Sequence, residues 1–383
     1  MESALVSKLN KLSHKFLMVI FVLFPSLVMA QSQPLTPPAP HLLMHDLDFI
    51  YQQIIDNHPG VYYKGDPNFK NKADQAYQVA QQAFKNLSSD DMKNFDRGAE
   101  IIEQFVASFE DIHVAIGWYH KLRGQQSTKR PVGKILLNLN QSKIAWINLP
   151  TFVLNKDQEK DLQAIFDQES AIKSRQVIVI DVRGNSGGNS AYGRQLVYML
   201  FGRDYVNQRL AVYYQPLFVD WRASLGNFNH MKDTMMKNYT PQNRASIDAF
   251  LADFQQALDR GQPYFRQKEP ATNVPPVTLP SPVLPPIVVI IDQSNISSTL
   301  IFIDELKAVT DKVILVGAES GADTVYGEIR RVQLPSEKGI FAFPIKIFGG
   351  RQRGNNESYT PDYAIDPRDD LAIEQFIKQN FTK

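Results

Sequence analysis

The segment Val177 to Ser190, VIVIDVRGNSGGNS, constrains the fold of this chain more than any other. Its first five residues form an apolar run rich in β-branched side chains and closed by an acid. Such a run, bounded by glycines, suits a buried strand of a parallel sheet. Arg183-Gly184-Asn185-Ser186-Gly187-Gly188 follows, and Ala191 to Leu200 then reads as a helix. The glycines permit a sharp turn and leave backbone N–H groups uncovered. A strand that ends in bare amides aimed into a helix start is suited to stabilising negative charge.

The surrounding pattern extends this unit. Ile135 to Leu139 and Ile144 to Leu149 read as two short strands joined by Asn140-Gln141-Ser142-Lys143, and Asp157 to Lys173 as a helix. After a long intervening stretch come Ile287 to Asp292 (IVVIID), a helix from about Ser297 to Val309, and Lys312 to Val316 (KVILV). Alternation of strand and helix predicts an α/β core with a mostly parallel sheet. Upstream, from His41 to about Ser108, Leu43, Leu47, Ile50 and Ile54 keep a helical period, repeated by Ile101, Ile102, Phe105 and Val106. This predicts a small helical N-terminal domain. The stretch 202–286 carries Tyr213, Tyr214, Phe218 and Trp221, a helical segment Ala245 to Leu258, and a run of prolines from Pro275 to Pro286. It reads as a mostly helical insertion over one face of the core, either a lid or an ordinary structural excursion.

The amino terminus presents Lys8, Lys11 and Lys15, an apolar run from Phe16 to Val28 interrupted by Pro25, and small residues up to Ala30. This is the layout of a secretory signal peptide, residues 1–30, and it is shorter than the ~20 apolar residues of a membrane-spanning helix. Residues 31–40, QSQPLTPPAP, form a proline-rich linker. Export into a bacterial periplasm or medium is the expectation, with no stable membrane span after cleavage. The chain has no cysteine, so neither a disulfide framework nor a lipid-anchoring thiol is available. Loss of Lys8, Lys11, Lys15 and Glu2 with the signal leaves 38 basic against 39 acidic residues. That balance gives no reason to expect nucleic acid or an anionic membrane surface as partner. The sequence is silent on oligomeric state.

Three constellations offer chemistry. Ser297 stands where the run IVVIID turns into a helix, and a hydroxyl there lies in the positive end of the helix field. A serine at such a place also serves as an ordinary N-cap. Ser186 lies in Gly184-Asn185-Ser186-Gly187-Gly188, a G-x-S-x-G turn between strand and helix of the kind used by α/β-hydrolase esterases. That arrangement needs a later histidine, and His230 is the only one after Ser186. His113, in Phe109-Glu110-Asp111-Ile112-His113, is a histidine of the type that serves as general base. His45, His58 and His120 read as structural, His58 as part of the turn His58-Pro59-Gly60. There is no H-E-x-x-H, and neither metal nor cofactor is expected.

Together these blocks resemble the tail-specific, or carboxyl-terminal-processing, serine peptidases. Asp181 followed by Arg183 to Gly188 is similar to the family's D-L-R-G-N-x-G-G segment. Asn295 to Thr299 is similar to its nucleophile segment, with Val313 to Gly317 following, and Phe109 to His113 to its acidic-x-histidine segment. The resemblance implies a crotonase-like α/β core over residues 126–383, preceded by the helical domain 41–125, and acyl transfer on peptide or protein substrates. It implies Ser297 as nucleophile, with Gly187, Gly188 and the amide of Ser298 at the oxyanion site. Two features depart from the family's well-known bacterial members. Their lysine base would fall near Asp323, and no lysine lies between Lys312 and Lys338. The stretch from Trp118 to Asp181 is too short for a PDZ module. The first departure points to the branch that includes the tricorn core and the retinoid-binding repeat proteins. There a histidine serves, or proteolysis has been lost. His113 then takes the base position, with Glu110, Asp111 or Glu328 as orienting acid. The rival reading is a non-catalytic peptide- or lipid-binding protein of the same fold. Arg351 and Arg353 would bind a substrate carboxylate or pair with acids.

Overall fold

The computed structural model describes residues 40–119, 133–237, 239–267 and 279–382. The segment read as a signal peptide, nearly all of the linker, and His120 lie outside the described residues. Helices α1 (Pro40–Asn57), α2 (Phe69–Lys85) and α3 (Phe95–Ala107) come first, followed by strand β1 (Ala115–Trp118). Then come β2 (Leu136–Asn138), β3 (Ile144–Asn148), α4 (Lys156–Phe166), α5 (Glu169–Lys173), β4 (Val177–Asp181) and α6 (Ser190–Phe201). Next are α7 (Arg203–Tyr214), β5 (Phe218–Arg222), α8 (Leu225–Met236), α9 (Arg244–Asp259) and β6 (Tyr264–Arg266). The last part holds β7 (Ile287–Ile291), α10 (Ser298–Val309), β8 (Val313–Gly317), β9 (Tyr326–Gln333), β10 (Gly339–Gly349), β11 (Tyr363–Ala364) and α11 (Asp370–Phe381). The protein is therefore a mixed α/β structure; the strands expected between Asp157 and Gly317 are present, and the helix expected over Asp157 to Lys173 is broken in two at Asp167-Gln168.

The strands form two sheets. One has the order β11-β8-β7-β4-β3-β2 and is parallel except at β2, which pairs antiparallel with β3. Val177, Val179, Val288 and Ile290 face a core shared with Ile373 and Ile377 of α11. Ile178, Ile180, Val289 and Ile291 face the opposite core, against Leu196 and Leu200 of α6 and Leu300 and Ile303 of α10. With both faces covered, β4 and β7 are fully buried. Each such side chain contributes about 1.5–3 kcal/mol of burial, which explains why these strands carry no polar alternation.

The second sheet is antiparallel, with β10 at its centre between β1, β5 and β9, and β6 beyond β5. Sequence reading anticipated only the parallel sheet. Its core joins Leu47, Ile50, Ile54 and Ile102 of the first helices to Trp221, Phe254, Phe265, Phe341 and Phe343. The stretch 202–286 is thus divided between the two cores. Val206 and Leu210 of α7 pack with the parallel sheet, while β5 and β6 enter the antiparallel one. Among the described residues, no helix is long and apolar enough to cross a membrane.

Candidate active site

Strands β4 and β7 run side by side, Asp181 opposite Ile290, so their carboxyl ends deliver two turns to the same place. The turns are clasped by two fully buried asparagines. Asn295 Nδ2 donates to the carbonyls of Val182 (2.5 Å) and Asn185 (3.2 Å), while its Oδ1 accepts from the Asp292 amide at 2.8 Å. Asn185 Nδ2 donates to the Leu149 carbonyl (2.9 Å), and Thr299 Oγ1 donates to Asn185 Oδ1 (2.8 Å). Buried amides are costly unless bonded, so this network fixes the turns relative to each other. The acid that closes β4 lies outside the clasp: Asp181 is paired with Arg183, Oδ2 to Nη2 at 2.6 Å.

Ser297 heads α10 with φ 54° and ψ −124°. Its side chain makes no capping hydrogen bond, so it does not act as an N-cap. A left-handed backbone on a non-glycine residue costs on the order of 1–3 kcal/mol and persists where the surroundings enforce it. Helix α10 begins immediately after it, and Ser298 Oγ is tied to the Gly188 carbonyl at 2.6 Å. Gly187 (φ 90°) lies against this corner. A Cβ there would fall 3.0 Å from both Ser297 Cβ and the Ser298 amide nitrogen. Gly188 (φ 135°) bridges to Phe152, and a Cβ there would fall 2.3 Å from the Phe152 carbonyl carbon. The structure thus brings Gly187, Gly188, Ser297 and Ser298 together. The Gly187 amide donates to Asn185 Oδ1 at 3.0 Å. Ser186 is at the exposed outer side of the turn.

His113 and Asp111 form a second group. Asp111 Oδ1 accepts from the His113 backbone amide (2.9 Å) and lies 3.1 Å from His113 Nδ1. Burial alone would raise the Asp111 carboxyl. The hydrogen bonds and charge of His113 outweigh it and hold the carboxyl below its ordinary value. Of the three acids proposed from sequence, Asp111 is the one bonded to His113. Glu110 is exposed, and Glu328 Oε2 accepts from the buried Lys346 Nζ at 3.0 Å. His58, read from sequence as part of a turn, sits beside Asp111, its Nε2 4.0 Å from Asp111 Oδ2. Nothing local signals this, because the two residues belong to different elements and meet only through packing.

The segment 318–326 passes beside Ile296 at one end and His58 at the other. A Cβ at Gly321 would fall 2.4 Å from Ile296 Cγ2, next to Ser297, and the ring of Tyr326 packs edge-on against His58 at 4.9 Å. Where a lysine base would fall in the resemblance stands Asp323, which is buried and bonded to both Arg351 (3.0 Å) and Arg353. Arg353 Nε also reaches Asp304 at 3.2 Å. The two arginines are paired with acids, and those acids are buried in the fold. Among the described residues between Trp118 and Asp181 lie β2, β3, α4 and α5.

The fold is shared with solved structures of mature CPAF. Mature CPAF complexed with lactacystin aligns with TM-score 0.54 at 10% identity, over 89% of this chain and 97% of that one. Mature CPAF alone gives 0.53 at 10%, over 86% and 94%. A lipoprotein from Streptococcus agalactiae gives 0.47 at 12%, over 91% and 98%. At such identities the likeness is one of fold. No curated protein sequence matches the chain. Residues 143–365, more than half of the chain, match the family model described as "Peptidase family S41". The chain belongs to peptidase family S41, the tail-specific proteases. The matched span takes in the glycine turn and Ser297, and begins after His113.

Proposed function

We propose that this protein is an exported serine-type peptidase on a crotonase-like core, with Ser297 as nucleophile and His113 as general base oriented by Asp111. The observation that carries the reading is the backbone of Ser297. It holds a left-handed, strained conformation at the head of α10, and its side chain makes no capping bond. The resemblance and the family support peptide or protein substrates.

In this mechanism Ser297 Oγ attacks the scissile carbonyl carbon as His113 Nε2 takes the hydroxyl proton. Nδ1 is directed at Asp111, which fixes the tautomer and stabilises the imidazolium. The oxyanion is held by the backbone amides of Gly188 and Ser298, the latter at the positive end of α10. The Gly187 amide is engaged by Asn185, so Gly187 serves by leaving room. His113 then protonates the leaving amine, giving an acyl-Ser297 ester. Water attacks the ester, His113 takes its proton, and protonation of Ser297 Oγ on collapse restores the enzyme.

The test is labelling of the purified protein with a serine-directed phosphonate, located by mass spectrometry. Label at Ser297, lost together with peptide hydrolysis in Ser297→Ala, is the expected result. Label lost in Ser186→Ala instead would establish the esterase-type turn. A folded protein that takes no label and cleaves no peptide would establish the binding-protein alternative, which the absent lysine favours.

A further inference from the structure

One buried histidine has no part in the mechanism above. His58 is fully buried. Its Nδ1 accepts the Gly60 amide proton at 3.0 Å, so in the neutral ring the proton is on Nε2. That Nε2 has no hydrogen-bond partner, and neither does Asp111 Oδ2, which faces it at 4.0 Å. Two unsatisfied buried atoms of complementary kind, aimed at each other, are rare enough to call for a reason. The gap exceeds hydrogen-bond length.

The pair is not an ion pair in the resting protein, because burial pushes the His58 imidazole down to about 3. His58 is also closely packed. Its ring stacks on Phe69 at 4.3 Å and 7°, and Tyr326 closes its edge at 4.9 Å. Gly60 is pinned too, since a Cβ there would fall 2.6 Å from the Phe69 ring. The charged and titratable groups facing the ring are Asp111 and, behind it, His113, with Tyr326 from β9. On the other side of the gap, Asp111 is held through Oδ1 alone and leaves Oδ2 without a partner, in a loop that begins at Glu110 with φ 51°.

We infer that His58 is a positioning residue: its Nε2–H is the second fixed donor to Asp111. As His113 gains charge and draws on Oδ1, Oδ2 closes onto His58 and the carboxylate is held in the plane His113 requires. This rests on the reading of His113 as general base. The competing account is a histidine that merely fills the core beside Phe69.

The test compares His58→Phe, which keeps the stack and removes the donor, with His58→Gln, whose amide N–H stands near the position of ring Nε2. His58→Phe should lower kcat by roughly ten- to a hundredfold, the range for lost outer hydrogen-bond partners of a functional imidazole, with KM within about twofold. His58→Gln should recover most of that loss. Wild-type kcat in folded His58→Phe, or equal impairment in folded His58→Gln, would overturn the proposal. His113→Ala separates the two readings: if it retains activity the base assignment fails, whereas an inactive His113→Ala beside a normal His58→Phe refutes only the role of His58. Nitrogen-15 NMR of the wild-type imidazoles needs neither turnover nor a stable variant. A neutral, Nε2-protonated His58 at pH 6 is expected, and a ring protonated on Nδ1 would overturn the proposal.

Discussion

Asn295 Nδ2 donates a hydrogen bond to the backbone carbonyl of Asn185 at 3.2 Å, joining the serine turn to the glycine turn across 110 residues of sequence. The same amide reaches the Val182 carbonyl, so one side chain holds both ends of the glycine turn. Neither asparagine is accessible to solvent, and water cannot replace either partner.

Asn295→Ala should therefore destabilise the protein by about 1–3 kcal/mol, because three hydrogen bonds are lost and the Asp292 amide is left without its partner, while the Val182 and Asn185 carbonyls keep other donors. Urea unfolding measures this. Ser186→Ala, on the exposed side of the same turn, should stay within about 0.5 kcal/mol of wild type. Phosphonate labelling at Ser297 should slow in folded Asn295→Ala, because the corner carrying the hydroxyl loses its anchor. Unchanged labelling would detach the clasp from the site.

Ser297→Gly tests the strain directly. Glycine adopts a positive φ without steric cost, so the substitution relieves about 1–3 kcal/mol of strain while adding about 0.5–1 kcal/mol of backbone entropy to folding. The net expectation is a gain of about 1 kcal/mol in unfolding free energy, with complete loss of labelling. A fall in the urea midpoint would show that Ser297 is not under strain.

The burial of His58 gives stability a pH dependence of known sign. Folded His58 stays neutral down to about 3, while the unfolded side chain titrates near its ordinary value of about 6.5. Between those values the unfolded chain binds a proton that the folded chain does not, so stability falls as pH falls. Asp111, depressed in the fold, adds to this: its contribution is present above its unfolded value and lost as pH drops through its folded one. Between pH 6 and 4 the unfolding free energy of His58→Phe should fall less steeply than that of wild type by ~1.4 kcal/mol per pH unit, the equivalent of one proton. Urea titrations at several pH values measure the difference; parallel slopes would refute it.

The parallel sheet was legible because β4 and β7 are buried on both faces, which leaves a mark in sequence as uninterrupted β-branched runs. The glycine turn and Ser297 were legible for a related reason, since they sit at the ends of those runs. The antiparallel sheet was not. Strand β9, YGEIRRVQ, is buried at its start and half-buried over most of the rest, and neither periodicity nor composition distinguishes it from a loop. Strands β5 and β6 hid inside a stretch whose helices dominate its pattern.

Local sequence alone thus determined the buried strands, the turns that follow them and the residue types able to do chemistry, because burial and backbone conformation act over a few neighbouring residues. Tertiary structure decided the pairings. Glu328 goes to Lys346; Arg351 and Arg353 are taken by Asp323 and Asp304; and His58, while still capping its own turn, faces Asp111. Such contacts depend on how separate elements pack in space, and a hydrogen bond of 3 Å between groups far apart in the chain leaves no trace in the residues on either side.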